Sequence, residues 1–92
     1  LPTQIRRLVV DSLKPRETST IELTRALAEV NGVEEVDIQV TEVDQRTETI
    51  RITIRGPHID YDGVTKVMNE HGATIRSVDE ISVARTKTPL KA

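Results

Sequence analysis

Residues 36–56 read Val36-Asp37-Ile38-Gln39-Val40-Thr41-Glu42, then Val43-Asp44-Gln45-Arg46-Thr47, then Glu48-Thr49-Ile50-Arg51-Ile52-Thr53-Ile54-Arg55-Gly56. Val36, Ile38 and Val40 alternate with Asp37, Gln39 and Thr41. Ile50, Ile52 and Ile54 alternate with Thr49, Arg51 and Thr53. A period of two puts each apolar set on one face of a strand. The polar segment 43–47 between them is short, so the two strands form a hairpin. Gly56-Pro57 ends it.

Upstream, Ile5–Leu13 reads as a strand. Val9 and Val10 are adjacent, so apolar residues fall on both of its faces. That is the mark of a central strand whose second face is not freely solvated. Pro15 lacks the ladder donor and breaks it within Lys14-Pro15-Arg16. Ser19 with Glu22 is a capping box, so a helix follows to about Asn31. Leu23, Ala26, Leu27 and Val30 are its buried stripe, and Gly32 its left-handed end. Downstream, Asp60 is the expected cap of a second helix with Val64, Val67 and Met68 inward. Gly72 closes that helix after His71. Ala73–Ala84 is a last strand whose apolar phase changes, since Ile75 and Ile81 are odd-numbered and Val78 is even. A bulge near residues 77–80 reconciles them.

The order is β-α-β-β-α-β, the split βαβ or ferredoxin-like arrangement of the α+β class. Right-handed crossovers give an antiparallel sheet in the spatial order 4-1-3-2 with both helices on one face. A single domain is expected over residues 5–85, followed by a basic tail over 86–92.

Composition narrows the function classes. In 92 residues there is no Cys, Phe or Trp, and Tyr61 is the only aromatic residue. Disulfides, thiolate metal sites and Cys nucleophiles are excluded. A core of Ile, Val and Leu is modest in a chain this small, which favours association with further copies. Charged residues make up 30% of the chain with a net charge of −2. Interspersed charge of that kind provides no global field for nucleic acid or a membrane surface. No apolar run approaches the roughly 20 residues of a membrane span. Leu1-Pro2-Thr3-Gln4 has no signal-peptide character, and the expected compartment is the cytoplasm.

Three stretches carry a family resemblance. They are Ile5-Arg6-Arg7-Leu8-Val9-Val10-Asp11 with Leu13-Lys14-Pro15, Glu42-Val43-Asp44 with Thr47-Glu48, and Ser77-Val78-Asp79-Glu80. Together they resemble the archaeal family numbered 211 among the domains of unknown function, over roughly residues 5–85. The resemblance implies a ferredoxin-like fold, an archaeal source and a homo-oligomer. It implies no established activity.

The candidate site is acidic. If Val40 pairs with Ile50, Glu42 lies opposite Glu48 at the hairpin end, a like-charge pair that costs up to about 1 kcal/mol. Asp44 adds a carboxylate in the same turn, and Asp11 comes to the same edge. Carboxylates without His or Cys suit a hard cation, Ca²⁺ or Mg²⁺. The bland alternative is that Arg46, Lys14 or Arg16 neutralises them. Asp79 and Glu80 are a second candidate, shared with a neighbouring subunit. Their bland alternative is ion pairing with Arg6 and Arg7. Arg7, Arg51 and Arg55 belong to the helix-free face. RNA-binding sheets of this topology stack bases on aromatics there, and this chain has none to offer. His58, in a loop, and His71, at a helix end, are read as structural. Arg16 resembles the first-loop arginine of acylphosphatases, but the glycine-rich phosphate cradle of those enzymes is missing. The reading is therefore a non-enzymatic homo-oligomer responsive to a divalent cation. The alternative is an ACT-like regulatory domain that binds a small effector between subunits.

Overall fold

The computed structural model describes residues 2–85; the expected basic tail over 86–92 lies outside them. Strand β1 spans Thr3–Pro15, helix α1 Thr20–Ala28, β2 Glu35–Val43, β3 Thr47–Arg55, helix α2 Tyr61–Glu70 and β4 Thr74–Arg85. The spatial order is β2-β3-β1-β4, the expected 4-1-3-2 read from the other edge. Every neighbouring pair is antiparallel. The fold is the ferredoxin-like α+β arrangement.

Strand β1 is longer than its apolar pattern, because Lys14 and Pro15 continue to pair with Glu48 and Thr47 of β3. Pro15 is tolerated at the end of the strand, and the next donor along, the Arg16 backbone N–H, bonds the Arg46 carbonyl at 2.9 Å. Ser19 caps α1 by accepting from the Glu22 backbone N–H at 3.1 Å. The helix ends at Ala28, short of Asn31. Glu29 and Val30 tighten into bonds to Ala26 and Leu27, the usual closing of a last turn. Asp60 stands at the N-cap of α2 but makes no side-chain capping bond. Gly32 (φ +80°) and Gly56 are required by contact between loops. A Cβ on Gly56 would fall 1.9 Å from the Gly32 carbonyl oxygen, and one on Gly32 would fall 1.6 Å from that of His58.

The core lies between the helices and one sheet face. Leu8, Val10, Ile50, Ile52 and Ile54 meet Leu23, Leu27, Val64 and Met68, with Ile59 and Ala73 closing it. Ile38 and Val67 are only partly buried against it. Val40, on the apolar face of β2 with Val36 and Ile38, is 44% exposed.

Length explains this. Nine helical residues in α1 and ten in α2 cover about 14–15 Å at 1.5 Å per residue. Nine to thirteen strand residues run about 30–44 Å at 3.4 Å each. The helices therefore leave the strand ends bare. The described residues extend 51 Å in length and only 22 by 17 Å across. Among the described residues no helix is long and apolar enough to cross a membrane.

Candidate functional site

The hairpin tip departs from simple alternation. Val40 pairs with Ile50 as expected, but Glu42 then pairs with Thr49 and Val43 with Glu48. Thr41 is the extra residue of a bulge, and its hydroxyl donates to the Thr49 carbonyl at 3.2 Å. A bulge moves every following side chain to the other face. Glu42 is thereby turned to the helix-free face, and the expected Glu42–Glu48 opposition does not form. Val43 takes its place on the helix side, 54% exposed. The sequence held the signal for this. Val36, Ile38 and Val40 are even-numbered and Val43 is odd, a phase change hidden when Val43 is assigned to the turn.

Glu48 meets Lys14 instead, as the bland alternative had it. The Lys14 ammonium lies 2.7 Å from Glu48 Oε1, and the Lys14 side chain is 1% exposed against 17% for Glu48. The contact is an ion pair, and the hydrogen bonds of Nζ go to the carbonyls of Thr18 (2.7 Å) and Pro15 (3.2 Å). A buried ammonium needs such partners to offset its lost hydration. Two positions back on the same face of β1, Ser12 is fully buried and its hydroxyl has no hydrogen-bond partner among the described residues.

The remaining acids are also dispersed. Asp11 pairs with Arg76 at 3.3 Å. Asp44 and Glu42 are exposed at the hairpin tip. Glu80 takes Arg7 as its close partner, with Arg51 at 3.7 Å. The Arg7 hydrogen bond and charge, helped by Arg51, hold the Glu80 carboxyl below its ordinary pKa. Asp79 accepts from the Ser77 hydroxyl at 2.8 Å. Among the described residues, no group of three or more His, Cys, Asp or Glu is close enough to hold a metal ion. Neither the set Glu42, Asp44, Glu48 and Asp11 nor the pair Asp79 and Glu80 is gathered into a cage by one chain.

The helix-free face is a charged lattice around two apolar residues of β1, Val9 and Leu13. Arg55 lies 3.0 Å from Asp37 and 3.3 Å from Glu35, beside the Arg7–Glu80–Arg51 group. Val9 is 1% exposed on this face, which accounts for the apolar residues on both sides of β1. Among the arginines expected here, each faces an acid. An open cleft of about 370 Å³ lies elsewhere, lined by Asn31, His58, Ile59, Asp60, Tyr61 and Asp62. His71 caps α2, its Nδ1 2.8 Å from the Val67 carbonyl.

The apolar surface was not foreseen in this form. On the helix side, Val78, Ile81 and Val83 of β4 are 47%, 54% and 53% exposed. The register with Val10, Leu8 and Ile5 puts all three on that side. Asp79 is a bulge residue inside the expected 77–80 and keeps Ile81 and Val83 in phase with Val78; Arg76 is a second bulge residue, outside that range, and brings Ile75 to the same side. On the opposite edge, Val40 and Val43 of β2 are exposed on the same side, and Ile21 in the first turn of α1 is 64% exposed.

Comparison with known proteins adds one family and one relative. The family profile DUF211, described as "Uncharacterized ArCR", matches residues 6–87. An uncharacterized protein of the archaeon Methanocaldococcus jannaschii, MJ0319, is 36% identical over 77 residues, which is 84% of this chain and 79% of the relative.

Proposed function

The chain belongs to the DUF211 family, and from that premise we propose that it works as a non-enzymatic, cytoplasmic module that assembles from copies of itself. The carrying observation is the apolar exposure on both sheet edges, on the same face. Exposed branched residues in a row on an open edge strand are a liability that a lone domain avoids. A second copy removes them from water.

The assembly responds to a divalent cation. Exposed Glu42 and Asp44 supply oxygen from one copy, and a neighbouring copy supplies the rest. Ca²⁺ is favoured over Mg²⁺, because a loose hairpin tip offers irregular, many-oxygen coordination more readily than a tight octahedron. The effector-binding alternative has less support. The first strand-helix turn is occupied by buried Lys14, which engages the Pro15 and Thr18 carbonyls, so it offers no open cradle.

Native mass spectrometry in calcium, magnesium and chelator tests this reading. Multiples of the 10.3 kDa chain are expected, with calcium retained. Calcium should also raise the melting temperature, by the equivalent of about 2.7 kcal/mol at a hundredfold excess over Kd. Glu42→Gln with Asp44→Asn should abolish that rise. Single chains in every condition would remove the assembly reading. Assemblies indifferent to all three additions would remove the cation.

A further inference from the structure

We infer that copies of this chain join edge to edge, with β4 of one copy lying antiparallel beside β2 of the next. The inference rests on the self-assembly reading and specifies its surface.

Three observations lead to it. The strand directions alternate across β2-β3-β1-β4, so β2 and β4 run oppositely. A copy placed beside the first in the same orientation therefore continues the antiparallel pattern and keeps the helices on one side. The two exposed apolar patches lie on that same side, Val78, Ile81 and Val83 at one edge and Val40 and Val43 at the other. One contact then covers both patches.

Charge selects among the possible pairings. Strand β2 carries Glu35, Asp37 and Glu42 and no basic residue, whereas β4 carries Arg76 and Arg85 against Asp79 and Glu80. Two β2 edges placed together would set acid against acid, which destabilises a strand pair. Two β4 edges placed together would leave Val40, Val43 and Ile21 in water. Only the β4-to-β2 contact meets both conditions.

Register fixes the stagger. Through β1 and β3, Val78 stands level with Ile38, and Glu80 stands level with Asp37. A copy placed without offset would thus oppose two acids. A slide of two residues puts Val78 against Val40, Ile75 against Val43 and Ile81 against Ile38. It also moves Glu80 against the neutral Gln39. All apolar pairs stay on the helix side. The bulges at Arg76 and Asp79 interrupt the outer ladder of β4, so side-chain packing carries the contact more than backbone hydrogen bonds. A contact between two different surfaces is heterologous, and it closes into a ring or runs on as a filament.

The test uses two exposed positions, Ile81→Lys on β4 and Val43→Lys on β2, with sedimentation velocity at micromolar chain concentration. Thermal melts establish that each variant folds. Val78→Lys and Val40→Lys replace a variant that does not. Each variant alone should sediment as a single chain, because every contact needs both edges. Mixed in equal amounts, the two should form a one-to-one pair and nothing larger. Each brings the intact edge that the other lacks, and the pair is capped at both ends. Loss of assembly in only one variant would mean a two-fold contact through a single edge and would overturn the inference. Assembly surviving both substitutions would overturn it as well, while leaving self-assembly standing. A single-chain wild type would remove both.

Discussion

Lys14 is a charged residue in a place where chains of this size rarely keep one. It is 1% exposed, and among the described residues Glu48 is its only charged partner. Removing one member of a buried pair leaves the other uncompensated. Lys14→Met should destabilise by about 2–3 kcal/mol. That is less than the roughly 3–5 kcal/mol of a fully buried pair, because Glu48 keeps 17% exposure. Adding Glu48→Leu should recover most of the loss, since apolar side chains of similar volume replace such pairs at little cost. Urea denaturation of the single and double variants checks this. A double variant no more stable than Lys14→Met would mean that the carbonyl bonds of the ammonium, and not its pairing with Glu48, dominate. The sequence identified Lys14 as a candidate partner for the hairpin acids. It did not reveal the burial, because the apolar pattern of β1 stops at Leu13 while the strand runs on to Pro15.

The hairpin β2–β3 and the strand β1 hold the fold together, and they were readable because strict alternation leaves few other structures. Ile52 is fully buried in β3, opposite Val10 on one side and Ile38 on the other. Ile52→Ala should cost about 2–5 kcal/mol by the usual transfer and cavity terms. Calorimetric melting is the measurement, and an unchanged melting temperature would contradict the central place of β3. The bulges were read unevenly. In β4 the bulge at Asp79 was legible because Val78 and Ile81 lie on either side of it in opposite phases, whereas the second, at Arg76, was merged with it. The one at Thr41 was not legible, because a single residue, Val43, carried the change. That one residue decides whether Glu42 and Glu48 share a face, so the geometry of the candidate cation site turned on it. The length of α1 was also misjudged. Its stripe continues to Val30, but the chain tightens after Ala28.

At the scale of the whole molecule, strands about twice to three times as long as the helices leave a helix-side face that one chain does not cover. Topology followed from the order of elements, since handedness and adjacency allow few arrangements. The exposed edges did not follow, because alternation identifies a face and says nothing about what covers it. In the proposed assembly, other copies of the chain cover it. Small-angle X-ray scattering over a dilution series, in calcium and in chelator, tests this most directly. The described residues of one chain have a radius of gyration of 14.0 Å. Self-assembly gives a radius well above that value and a forward scattering that is a multiple of the 10.3 kDa chain. A radius near 14.0 Å with the scattering mass of one chain, at every concentration and in both buffers, would contradict it.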